Sequence, residues 1–304
     1  MLRLVKHNLF FYNLITLRKV KVRVMKFLKE FTGEFIGTYF MVLFGCGAVA
    51  TAVLFGEQPG ILTIALIWGI TIALGIYATR SLSCAHFNPA VSFAMVAAGR
   101  MKANKLVPYL LGQFIGAFIA ALTLYALFSP SIAAFEQAHQ IVRGAPESML
   151  TAKMFGEFYQ MPGNTTVSMG LACFAEGIGT FFLVTFIFFL TEGCNLGRPS
   201  DNFAPVMIGL TVSMLICLIA PLTQAGFNPA RDFSPRMVAY MMGWKNAAFP
   251  LEYSGFFWVY ICSPIVGGLL ASLLFTKFIE PVSKAKDEKC CCCSENEAEK
   301  AENK

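Results

Sequence analysis

The residues best placed to do chemistry are two copies of one triplet, Asn88-Pro89-Ala90 and Asn228-Pro229-Ala230. Asparagine suits a helix N-cap because its side-chain oxygen accepts a backbone N–H. Proline suits the first helical position, where its missing N–H has no partner to lose. Each triplet therefore predicts a helix start, from Pro89 to about Ala98 and from Pro229 to about Met242. A helix N-terminus carries partial positive charge, and the Asn88 and Asn228 amides can donate to a hydroxyl or to water. The stretches in front, Ser83–Phe87 and Gln224–Phe227, must be non-helical. The carbonyls of Ala85, His86, Phe87, Ala225, Gly226 and Phe227 are then candidate acceptors. This is chemistry for holding a neutral polar solute and repelling cations. No convergent nucleophile, acid–base pair, cofactor site or metal-ligand set appears in the chain, so enzymatic function has no support.

These segments need elements to hold them. The chain has 304 residues, 56% hydrophobic and 14% charged, with a mean hydropathy of +0.61. That balance points to an integral membrane protein. Six apolar stretches, roughly 35–55, 61–79, 106–128, 169–191, 203–222 and 256–279, are long enough to span a bilayer as helices. Barrel strands would be shorter and would alternate in polarity. The two Asn-Pro-Ala segments, 81–99 and 223–243, are too interrupted to span alone.

The sequence also repeats itself. Glu34-Phe-Ile-Gly-Thr-Tyr-Phe40 is echoed by Glu176-Gly-Ile-Gly-Thr-Phe-Phe182, and Phe87–Ala90 by Phe227–Ala230. Gln113–Ala117 and Pro264–Gly268 follow with a larger offset, which places an insertion after the second triplet. Three spans per half invert the second copy, so the expected fold is all-α, six transmembrane helices plus two re-entrant half-helices in an inverted repeat. The half-helices would enter from opposite faces and meet N-terminus to N-terminus. Two such ends form a barrier to cations, hydronium included. Exposed backbone at that depth is tolerated only if it is buried or lines a water-filled path.

The net charge of +6 is unevenly spread. Nineteen of the 24 Lys and Arg fall in segments that share one side if both termini are cytoplasmic, which supports that orientation and speaks against nucleic acid. The expected organisation is a basic N-terminal extension (1–30), a channel domain (31–280) and a disordered cytoplasmic tail (281–304). The channel domain divides into a first half (31–128), a connection (129–168) and a second half (169–280). The extension reads as either disordered or an amphipathic surface segment. Asn164-Thr165-Thr166 in the connection is a glycosylation acceptor pattern. Cys290, Cys291, Cys292 and Cys293 are candidates for palmitoylation, or part of an unmodified solvated tail. Cys46, Cys84, Cys173, Cys217 and Cys262 lie in or near apolar segments, where a thiol acts as a small hydrophobe.

Two Asn-Pro-Ala segments in matched halves of a six-span chain resemble the aquaporin superfamily over about residues 30–280. Asp232 after Arg231, the 135–144 segment and Gly243–Phe249 resemble its glycerol-facilitator branch. The resemblance places the four positions of a selectivity filter on Trp68, Ile216, Ala225 and Arg231. Water-selective relatives usually carry histidine where this chain has Ile216. An apolar wall facing an arginine donor suits a polyol. The resemblance implies a passive channel for glycerol, water and other small uncharged solutes such as urea, a homotetramer within a lipid bilayer, and the plasma membrane. Departures exist. Ile216 and Ala225 replace the glycine and aromatic common in that branch and instead resemble the plant nodulin-like branch. Cys84 and Tyr260 stand where glycine and proline are usual.

Each residue also has a blander reading. Trp68, Ile216 and Ala225 alone would be packing residues. Glu34 and Glu176 are costly in a membrane and read as acceptors for loop N–H groups rather than as proton carriers. His86 reads as a structural histidine contributing its carbonyl. A predominantly water-selective pore and a coupled secondary transporter are the competing functions, and the chain lacks obvious paired acids for proton coupling.

Overall fold

The computed structural model describes residues 2–56, 60–163, 166–193, 195–250 and 255–285. Asn164 and the Cys290–Cys293 run lie outside the described residues. The helices are α1 Leu2–Phe55, α2 Ile61–Thr79, α3 Pro89–Ala97, α4 Leu106–Ala138, the short α5 Met149–Ala152, α6 Met169–Thr191, α7 Ala204–Thr223, α8 Pro229–Ala239 and α9 Ser263–Leu274. The last span begins with a π-helical stretch, Phe257–Cys262, before α9. It continues through a second, Phe275–Ile279, into α10 Glu280–Ala285. Among the described residues six helical runs are long and apolar enough to cross a membrane, the last of them the composite run Phe257–Lys284.

The repeat governs the packing. Within each half the first and third spans pair, α1 on α4 and α6 on α9, while α2 meets α7 between halves. Each half-helix packs on the third span of the opposite half, α3 on α9 and α8 on α4, so the halves interlock. Glycines set these approaches. A Cβ on Gly116 would lie 2.5 Å from the Phe35 carbonyl oxygen, and one on Gly267 would lie 2.0 Å from that of Gly177. Gly69 and Gly209 face each other's backbone the same way across α2 and α7. Small residues let membrane helices approach closely where the hydrophobic effect gives no drive.

Three boundaries differ from the sequence reading. α1 is one helix from Leu2, so the stretch before residue 31 continues the first span rather than forming a separate surface segment. No proline interrupts it. α4 runs on to Ala138 through Pro130, so the connection between halves begins at His139. The second half-helix ends at Ala239 and passes into a π-helical turn, Tyr240–Trp244, that closes at Gly243 with φ +107°.

Candidate pore

Two buried carboxylates shape the non-helical stretches. Glu34 accepts hydrogen bonds from the Ser83 hydroxyl (2.8 Å), the His86 and Phe87 amides (3.0 and 2.7 Å) and Gln113 Nε2 (2.7 Å). Glu176 accepts from the Thr223 hydroxyl (2.6 Å) and the Gly226 and Phe227 amides (2.9 and 2.7 Å). The backbone these bonds impose is unusual. Ala85 and Phe87 have φ of 56° and 51°, and their repeat partners Ala225 and Phe227 have 62° and 51°. Non-glycine residues adopt such angles only where the surroundings over-determine them. The surroundings here match in both halves. The Phe87 ring fills the space a side chain at Gly37 would need, and the Phe227 ring does so at Gly179.

Two tyrosines buttress the same stretches. The Tyr109 hydroxyl accepts from the Cys84 amide at 2.8 Å, and the Tyr260 hydroxyl donates to the Thr223 carbonyl at 2.9 Å. Tyr260 thus has a packing task of its own where a proline was expected. Tyr109 carried no signal in the sequence beyond lying one repeat away from it.

Both asparagines cap as expected. Asn88 Oδ1 accepts from the Ala90 amide at 2.9 Å, and Asn228 Oδ1 accepts from the Ala230 and Arg231 amides at 3.1 and 3.2 Å. Their Nδ2 atoms cross between halves. Asn88 donates to the Phe227 carbonyl and Asn228 to the Phe87 carbonyl, each at 2.8 Å. A side-chain amide has two N–H groups, and this bond uses one.

Two chambers lie along these stretches, and only the first of them borders the crossing. The first, about 370 Å³, is lined by both asparagines and by Ala85, His86, Phe87, Ala225, Gly226 and Phe227. Its remaining wall is largely aliphatic, from α2, α6 and α7. The second, about 440 Å³, opens at the other end beside Lys153, Glu157 and Gln224. Among the described residues only Trp68, Ile216, Ala225 and Arg231 line both chambers. The Arg231 guanidinium carbon stands 4.5 Å from the centre of the Trp68 ring, a cation–π distance. Room for that indole comes from Gly45, where a Cβ would come within 2.4 Å of the ring.

Arg231 is anchored from behind. Nη1 donates to the Phe155 carbonyl at 3.3 Å, and Nη2 forms an ion pair with Glu157. Burial pushes the Glu157 carboxyl up to about 8, with Arg231 pulling in the opposite direction. Asp232 lines neither chamber and is fully buried. It accepts from the Glu157 amide at 2.7 Å and from Arg236 Nε at 3.0 Å, while Arg236 Nη1 donates to the Ala248 carbonyl at 2.7 Å. Asp232 and Arg236 therefore fasten the inter-half connection and the segment after α8 to the second half-helix. The 135–144 and 243–249 segments meet as well, with Arg143 4.4 Å above the Trp244 ring. Sequence reasoning missed Glu157 and Lys153. Their only signal was being charged residues in a connection close to the membrane.

Residues 21–275 match the Major intrinsic protein family. The glycerol uptake facilitator protein of Haemophilus influenzae is 37% identical over 248 residues, 81% of this chain and 92% of that protein. Aquaporin-9 of Mus musculus is 32% identical over 254 residues, covering 83% of each chain. The X-ray structure of the aquaglyceroporin from Plasmodium falciparum superposes with a TM-score of 0.74 at 25% identity, over 85% of this chain and 99% of the other. The chain belongs to the major intrinsic protein family.

Proposed function

We propose that this protein is a passive channel for glycerol, water and other small uncharged solutes such as urea, excluding protons and ions. One observation carries the reading: the four residues expected to form a filter are those shared by the two chambers. At that junction a guanidinium and an indole face Ile216 and the small Ala225. A polyol can lay its carbon backbone on the apolar side and direct hydroxyls at Arg231 and the backbone carbonyls. Ile216 offers no polar group to narrow the path for water alone, which favours the glycerol reading over a water-selective one. Charge repulsion comes from Arg231 and from the N-termini of α3 and α8. The Glu34 and Glu176 carboxylates are occupied in holding backbone, which argues against proton-coupled transport.

The same reading takes the protein as a plasma-membrane homotetramer with one pore per subunit and both termini cytoplasmic, and as a channel without enzymatic activity. Reconstitution into liposomes tests it. Swelling in a glycerol gradient faster than protein-free vesicles is expected, with no accumulation against a gradient. No increase over empty vesicles would overturn the channel reading, and osmotic water flux without glycerol flux would replace it with the water-selective one.

A further inference from the structure

Trp244 lines neither chamber and is completely buried. The backbone around it is bent to put it there. Gly243 before it and Lys245 after it have φ of 107° and 44°, and a non-glycine residue holds such an angle only where its surroundings over-determine it. The indole Nε1 donates to the Thr151 hydroxyl at 2.9 Å, and that hydroxyl donates to Glu136 Oε1 at 2.7 Å. Arg143 takes the other oxygen of Glu136, from Nε at 2.9 Å and Nη2 at 2.8 Å. Packing alone would need only the ring, whereas this tryptophan also directs its one N–H at a fixed partner.

That partner leads to the filter. Thr151 begins a single backbone turn, in which the Met154 amide donates to the Thr151 carbonyl at 3.3 Å and the Phe155 amide to the Ala152 carbonyl at 2.9 Å. The turn ends at the fully buried Phe155, whose carbonyl accepts from Arg231 Nη1 at 3.3 Å. Trp244 also packs on the Phe155 ring, with centroids 5.3 Å apart. It therefore holds that carbonyl from two directions, through the start of the turn and through the side chain at its end. A buried donor left without its acceptor must find another. For Arg231 Nη1 the nearest free space is the junction of the chambers, which Arg231 lines. A guanidinium turned into that junction obstructs a polyol more than it obstructs water.

We propose that Trp244 is a positioning residue for the filter: by fixing Thr151 and Phe155 it sets where the Arg231 guanidinium stands, and with it the discrimination between glycerol and water. The inference rests on the channel reading above. Stopped-flow measurement of glycerol and water permeability in proteoliposomes of the full-length protein, beside its melting temperature, tests it. Trp244→Phe keeps a ring against Phe155 and loses the N–H, while Thr151→Val keeps the shape and loses the acceptor. In each, the glycerol-to-water ratio should fall about fivefold, the worth of one hydrogen bond. Thr151→Ser returns the hydroxyl and should return the ratio. In an Arg231→Ala, Glu157→Gln background, Thr151→Val should leave the ratio where that background has it, because the group it acts through is gone. A merely structural role would lower the melting temperature and both fluxes together and leave the ratio alone. Should Trp244→Phe fail to reconstitute, Thr151→Val against Thr151→Ser decides alone. An unchanged ratio in Thr151→Val, or the full fall persisting without Arg231, would overturn the proposal with the channel intact. A wild type that passes neither solute would overturn the channel reading itself, and this proposal with it.

Discussion

Arg231, at the junction of the two chambers, forms an ion pair with Glu157, which lines the second chamber alone, and the two side chains are only 5% and 4% exposed. The pair fixes the guanidinium but also occupies donors that a solute could use. Burial raises the Glu157 carboxyl to about 8. An acid raised in the folded state stabilises the fold fully below the ordinary carboxyl range, and this contribution is lost as pH rises through the folded value. Thermal stability of the wild type should therefore decline as pH rises from about 5 to about 9, and less so in Glu157→Gln. Protonation also removes the negative charge that holds Arg231 Nη2, which weakens its hold on that donor, so glycerol permeation should increase as pH falls from about 9 to about 6 and stay level in the variant. Stopped-flow light scattering of proteoliposomes across that range checks both profiles.

Ile216 and Ala225 leave one side of the junction apolar and open. Ile216→His or Ala225→Phe should reduce glycerol permeation about tenfold, a barrier change of about 1.4 kcal/mol, with a smaller effect on water. Equal loss of both fluxes at normal expression would contradict the filter assignment.

The crossed amides put Asn228 Nδ2 on the Phe87 carbonyl at 2.8 Å. Asn228→Asp keeps an acceptor for the α8 cap but loses that donor and adds negative charge where two helix N-termini meet. Cation leak should then appear, read as dissipation of a sodium or proton gradient in vesicles loaded with an indicator dye. Vesicles as tight as the wild type would argue against an electrostatic barrier at this point.

Glu176→Ala strands the Gly226 and Phe227 amides and the Thr223 hydroxyl. Each buried polar group left unpaired costs about 1–3 kcal/mol. The detergent-solubilised protein should melt at clearly lower temperature and lose glycerol and water flux together. Glu176→Gln, which retains an accepting oxygen, should be milder.

Gly209→Ala places a Cβ 2.3 Å from the Gly69 carbonyl oxygen. That atom is backbone, so α2 and α7 must separate. Overpacking of this kind costs about 1–3 kcal/mol. A lower melting temperature, with glycerol flux altered through the displaced Trp68 of α2, is the expected result.

The half-helix starts were legible because Asn and Pro at N-cap and N1 are local signals, and the structure caps both as those residue types require. Glu34 and Glu176 were legible as acceptors because an unpaired carboxylate at that depth is untenable. The Glu157–Arg231 pair was not legible, since the partners come from different elements and neither sits in a pattern that points to the other. The Tyr109 and Tyr260 buttresses were hidden for a related reason: a tyrosine in an apolar helix gives no sign of which backbone group its hydroxyl will meet. The continuation of α1 toward Leu2 was missed because basic, apolar stretches read alike as extension or as helix.

The crossed amides also bear on how the protein is made. Asn88 and its acceptor Phe227 are 139 residues apart. α3, with 9 residues, is too short to cross a bilayer by itself. At about 5–20 residues per second of synthesis, the first half-helix waits roughly 7–28 s for its counterpart to leave the ribosome. Through that interval its exposed backbone needs shelter, from the translocation machinery or from α1 and α4 folded around it. Biogenesis, more than the finished channel, is then where variants in the first repeat should show their earliest defects.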